Sequence, residues 1–201
     1  MNSKHLGDAL DHWKGSLLSL LVDKGLIRHV VVEPMITDPQ AWPPEDIETY
    51  KRLLRLEIIF HDSTTFPSGR REDYFNALPK DGDIFLDPDT GIARDKPKKE
   101  HITVQEIINL LKDSDRVVMI YQHSGQREPK QNDLTTSSFH RWLVSIRSKI
   151  TATDTPNVHC TVYECKQVAM FFVSLKKSRI DEIQTGLQEY LRGRAQCRVW
   201  Q

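Results

Sequence analysis

Short runs of β-branched and aliphatic residues alternate along this chain with stretches of helical periodicity, and that alternation limits its fold more than any other feature. His29-Val-Val-Val-Glu33, Leu56-Glu-Ile-Ile-Phe60, Asp83-Ile-Phe-Leu-Asp87 and Arg116-Val-Val-Met-Ile-Tyr121 each have the length and composition of a strand. Helices are expected between them. From Asp8 to Leu21 the apolar residues Leu10, Trp13, Leu17, Leu18 and Leu21 fall on one helical face, and Gly25 follows as a stop. Pro43-Pro44-Glu45-Asp46 marks a second helix start, a short helix is expected around Tyr74 to Leu78, and Thr103-Val-Gln-Glu106 is a capping box. Phe139, Trp142, Leu143, Ile146 and Ile150 supply the stripe of a further helix, followed by strands over Val158–Glu164 and Gln167–Ser174. A last helix carries Ile180, Ile183, Leu187 and Leu191, and Cys197 to Trp200 closes the chain as a short strand. This order predicts an α/β fold: a three-layer Rossmann-like sandwich with a mostly parallel sheet, antiparallel at its C-terminal strands. One domain spanning 1–201 is expected.

Charge and composition narrow the function classes. Twenty-eight Lys and Arg balance 28 Asp and Glu, so no global field draws the protein to nucleic acid or to an anionic membrane. The longest apolar runs, such as Val168 to Val173, fall far short of the roughly 20 residues of a bilayer span, and the first residues lack a signal peptide's apolar core. A cytoplasmic protein without membrane contact is expected, its oligomeric state open. Cys160, Cys165 and Cys197 form no CxxC pair and read as free thiols of a reducing compartment.

Ligands of open parallel sheets bind beyond the carboxyl ends of the strands, so the segments leaving the first four strands are where chemistry is sought. Asp87-Pro88-Asp89 is the strongest candidate there. Two carboxylates two residues apart on a strand share a side and suit one Mg²⁺ or Mn²⁺, with Thr90-Gly91 allowing a tight return. The competing reading is an Asx-type turn in which both acids cap backbone amides. His123 ends the neighbouring strand and Glu33 the first, each placed to handle a water proton, and Glu33, His61, Asp62 and His123 are the choices for a third metal ligand. Thr90, Gly91, Gln122, Arg70 and Arg127 are expected to contact phosphate or substrate. Glu164-Cys165-Lys166 has the spacing of half a nuclease motif, but its partner acid is remote in sequence, and a solvated hairpin tip is favoured. P-loop, HExxH and GxSxG patterns are absent, and no glycine lies between the first strand and Gly69 to let a nucleotide approach the backbone.

The layout, with a helix before the first strand and an antiparallel last strand, resembles that of class I methyltransferases. The Asp87-Pro88 step is similar to the Asp-Pro-Pro-Tyr motif with which amino-methyltransferases position a target nitrogen, although Asp89 and Thr90 replace its proline and aromatic. FLDPDTGI and the later YQH also resemble strings of an uncharacterised group of bacterial proteins, which adds a likeness without a chemistry. Three functions are therefore expected to compete. The first is metal-assisted hydrolysis of a nucleic acid or nucleotide at Asp87 and Asp89; the second is a methyltransferase-like protein with an atypical S-adenosylmethionine loop; the third is a non-catalytic binding module.

Overall fold

The computed structural model describes residues 1–56, 58–60, 65–67, 69–93, 97–112, 114–123, 138–166, 168–191 and 197–201, with 58–60 and 138 described by backbone alone. After a 3₁₀ turn at Ser3–His5, the elements run α1 (Ala9–Asp23), β1 (Val30–Glu33), α2 (Pro44–Leu54), β2 (Ile58–Phe60), α3 (Arg71–Asn76), β3 (Asp83–Leu86), β4 (Gly91–Ile92), β5 (His101–Ile102), α4 (Val104–Leu111), β6 (Val118–His123), α5 (Ser138–Thr151), β7 (His159–Cys165), β8 (Val168–Ser174), α6 (Lys177–Tyr190) and β9 (Cys197–Trp200). Local chemistry sets several of these ends. Asp8 caps α1 by accepting from the amides of Leu10 and Asp11, and Thr103 with Glu106 forms both halves of the capping box expected of α4.

Seven strands form one sheet in the order β2-β1-β3-β6-β8-β7-β9. The pairings among β2, β1, β3 and β6 are parallel, whereas β6 with β8, β8 with β7, and β7 with β9 are antiparallel. The sheet is thus mixed, half parallel and half antiparallel. Strand order reverses between β1 and β3, and their carboxyl ends make the crevice in which open α/β sheets bind ligands. β4 and β5 form a separate two-stranded parallel ribbon. Arg71 explains how so short a pair is held: its guanidinium donates to the His101 carbonyl oxygen at 2.6 Å and to Glu106.

Alternate strand residues feed two apolar clusters. Val31, Ile84, Leu86, Val118 and Ile120 face Phe75 of α3, Ile107 and Ile108 of α4, and Leu143 and Ile146 of α5. Val30, Val32, Phe85 and Met119 face Leu18 and Leu21 of α1, Tyr50 and Leu54 of α2, and Ile183 and Leu187 of α6. The reading of three free thiols is corrected by the register of β7 and β9. Cys165 and Cys197 are opposite one another and joined by a disulfide, leaving Cys160 as a buried free thiol. A sequence separation of 32 residues concealed the pairing. No described helix is long and apolar enough to cross a membrane.

Candidate functional site

Strand parity sorts the residues that leave the carboxyl edge. Leu86 pairs with Ile120 in register, so Asp87 and Tyr121 follow side by side on the face covered by α1 and α2, and His123 lies two residues beyond Tyr121 on that face. Glu33 and Gln122 take the opposite face. Asp87, Asp89 and His123 line one cavity of about 250 Å³ together with Asp8, Asp11 and Lys14 of the α1 segment, Tyr121, Pro88, and Met1, His5 and Leu10.

The floor of this cavity is a buried charge network. The Lys14 ammonium donates to Asp87 Oδ2 at 2.7 Å and to Asp11 Oδ1 at 2.9 Å, and lies 4.4 Å from the centre of the Tyr121 ring. Asp87 Oδ2 also accepts from the Tyr50 hydroxyl at 2.6 Å. These groups are nearly inaccessible, with Asp11 at 1% exposure, Asp87 at 2% and Lys14 at 4%. Burial pulls the Lys14 ammonium down, but Asp87 and Asp11 outweigh it and hold the group above the ordinary lysine value. Burial pushes the Asp11 carboxyl up against the opposing pull of Lys14. Burial and the nearby Asp87 keep the Tyr50 and Tyr121 phenols protonated far above the ordinary tyrosine range. His123 moves the other way. Its half-buried imidazole is lowered by desolvation, Asp8 opposing and Lys14 assisting, so at neutral pH it is uncharged.

Close helix packing brings Lys14 to Asp87. Gly15 follows it on α1, where a Cβ would come within 2.0 Å of the Leu53 carbonyl oxygen on α2, so glycine alone allows this approach. Asp89 sits at the cavity's rim. Its carboxylate accepts from the Thr37 hydroxyl and lies 3.6 Å from the Met1 amine, which itself donates to the carbonyl oxygens of Pro34 and Met35. A divalent ion shared by Asp87 and Asp89 would have to displace Lys14 and Tyr50 from the first and Thr37 from the second. Among the described residues no group of three or more His, Cys, Asp or Glu is arranged to hold a metal.

The remaining candidates are placed elsewhere. Glu33 is fully buried on the far face, where its carboxylate accepts from the Met35 amide at 2.7 Å and the Tyr74 hydroxyl at 3.0 Å. Gln122 braces the ribbon: its Oε1 accepts from the Ile92 amide at 2.8 Å, and its Nε2 donates to the carbonyl oxygens of Thr90 and His123. Gly91 has φ +81°, and a Cβ there would strike the Gln122 amide at 2.2 Å, so its role is to let that amide in. The Thr90 hydroxyl donates to the Glu100 carbonyl oxygen. Arg70 is exposed at the start of α3 in a left-handed conformation, away from the cavity. Arg127, His61 and Asp62 lie outside the described residues. Glu164 is no solvated hairpin tip: its side chain is 5% exposed and accepts from Arg198, His140 and Trp200.

Sequence reasoning missed Lys14, Asp11 and Tyr50. One signal was available: Asp11, Lys14, Leu18 and Leu21 continue a single helical stripe at spacings of three and four, so two charged residues stand in line with core leucines. Buried charges of that kind are rare unless paired. No known protein family, curated protein or solved structure matches this chain.

Proposed function

We propose that this is a three-layer Rossmann-like protein that binds a small organic cation, an amine-bearing molecule of about amino-acid size, in the cavity at the carboxyl edge of its sheet. The charge balance of the lining carries this reading. Four carboxylates, Asp8, Asp11, Asp87 and Asp89, face the cavity, and Lys14 is its only described lysine or arginine. Lys14 is shared between Asp11 and Asp87, and even with the Met1 amine set against Asp89 the lining keeps a negative excess. An ammonium gains from such a lining, whereas a bare phosphate is repelled. Neutral His123 on the same wall is suited to accept a hydrogen bond from a bound ammonium.

A second reading, methyl transfer to such an amine, is favoured by the helix that precedes β1, the antiparallel C-terminal strands and the Asp87-Pro88 step. S-adenosylmethionine fits the loop after β1 poorly. Pro34 and buried Met35 stand where backbone would have to approach a nucleotide, and both their carbonyl oxygens are occupied. No step is derived through that cofactor. Metal-assisted hydrolysis of a nucleic acid or nucleotide is the third reading, and it requires Mg²⁺ or Mn²⁺ to replace Lys14 at Asp87.

A thermal-shift panel separates the three, with agmatine and putrescine in one arm, S-adenosylmethionine in another, and Mg²⁺ or Mn²⁺ with mononucleotides in a third. A ligand at 100 times its Kd stabilises by about 2.7 kcal/mol, or about 5–10 °C for a chain of this size. The cation reading expects that shift from a diamine without metal. A shift from metal and nucleotide, with none from either amine, would replace it with the hydrolase reading.

A further inference from the structure

Among the described residues β9 lies at the edge of the sheet and is paired on one side only, from Val162↔Trp200 to Cys165↔Cys197. It is four residues long, and its side chains are half-buried or exposed. Edge strands this short, with Trp200, Cys197 and Val199 only partly buried against the two apolar clusters, belong to the low-stability end of a fold. The Cys165–Cys197 disulfide is therefore a large part of what fixes β9 in place. β9 in turn covers a polar pair. Arg198 donates from Nε and Nη2 to the two oxygens of Glu164, each at 2.9 Å, and Trp200 Nε1 donates to Oε2 at 3.1 Å. Beneath them His140 Nδ1, on the first turn of α5, is 2.7 Å from Glu164 Oε2, and the Trp200 indole stands edge-on to the imidazole with ring centres 5.0 Å apart. A carboxylate that orients an imidazole, roofed by an aromatic ring from a covalently tethered strand, is an arrangement whose exposure depends on the tether.

We infer that β9 is a redox-controlled strap over the His140–Glu164 pair. With the disulfide formed, Arg198 and Trp200 stay on Glu164 and the imidazole is held at 19% exposure. A dithiol opens the strap by attacking one sulfur as a thiolate. The S–S bond breaks, the dithiol closes to its own disulfide, and its two electrons and two protons leave Cys165 and Cys197 as thiols. β9 then frays from β7, Glu164 loses the donors that β9 supplied, and His140 is uncovered. The inference is independent of the cation cavity, because none of these residues lines it.

The test compares the full chain before and after complete reduction with dithiothreitol, the redox state being read by alkylation and intact mass. Amide hydrogen exchange reports on β9, and diethylpyrocarbonate modification mapped by mass spectrometry reports on His140, with His5 as internal reference. On reduction, exchange at 197–200 should rise at least tenfold and His140 modification several-fold, while β8 exchange stays unchanged. Cys197→Ser should behave as the reduced protein under both conditions; if that variant fails to fold, the wild-type comparison decides alone. The inference is overturned by β9 remaining equally protected after full reduction. Free thiols at both positions in the untreated protein overturn it too, as does a general loosening that includes β8, which would make the disulfide a structural staple.

Discussion

Lys14 does at residue scale what the rest of the site depends on, since it is the cation that allows Asp11 and Asp87 to be charged inside the protein. Removing one partner of a buried ion pair leaves the other unpaired at a cost of about 3–5 kcal/mol. Lys14→Met should therefore lower unfolding free energy by that amount in urea titrations, and adding Asp87→Asn should recover part of it by removing one stranded charge. The pH dependence follows from the raised Lys14 value. A base with a folded value above its unfolded one stabilises fully below the unfolded value, about 10.4, and loses that contribution as pH rises through the folded value. Stability curves of wild type and Lys14→Met should accordingly converge in strongly alkaline solution and stay apart at neutral pH. Asp87 was legible in the sequence because an acid closing an apolar strand is conspicuous there. Lys14 was not, because a lysine among helix polar residues looks like solvated surface until the approach of α1 to α2 is known.

Between the elements, register made the difference. Glu33 and Asp87 both end strands, and nothing in a single strand tells which face its terminal residue takes relative to a neighbour. Once Glu33 pairs with Leu86, Asp87 is one residue out of phase and faces α1, while Glu33 faces Tyr74. The helices and most strands were readable from periodicity and caps, whereas the two-residue strands β4 and β5 carry too few residues to show any period. Their stability rests on fit. Gly91→Ala places a side chain at φ +81° and against the Gln122 amide, so it should cost at least about 1–3 kcal/mol in a thermal melt. Truncating the α4 cap with Thr103→Ala should cost less, about 0.5–2 kcal/mol, and leave the ribbon intact as judged by amide exchange at Ile92 and Ile102.

For the whole molecule, a formal net charge of zero hides an uneven distribution. Four aspartates line the cavity at the carboxyl ends of β3 and β6, and this local field rather than the overall balance decides which ligands enter. The balanced composition gave no global basic field but could not reveal the acidic pocket, because Asp8 and Asp11 come from the first helix segment and Asp87 and Asp89 from the third strand's end. Isothermal titration of the protein with agmatine, repeated on Asp89→Asn, tests this most directly, since Asp89 lines the rim and is not one of the carboxylates that hold Lys14. Saturable one-to-one binding should weaken about tenfold in the variant, equivalent to about 1.4 kcal/mol, and should weaken further with added salt. Binding of agmatine that is unchanged by Asp89→Asn, or no heat with agmatine beside saturable binding of a nucleotide without metal, would contradict the account.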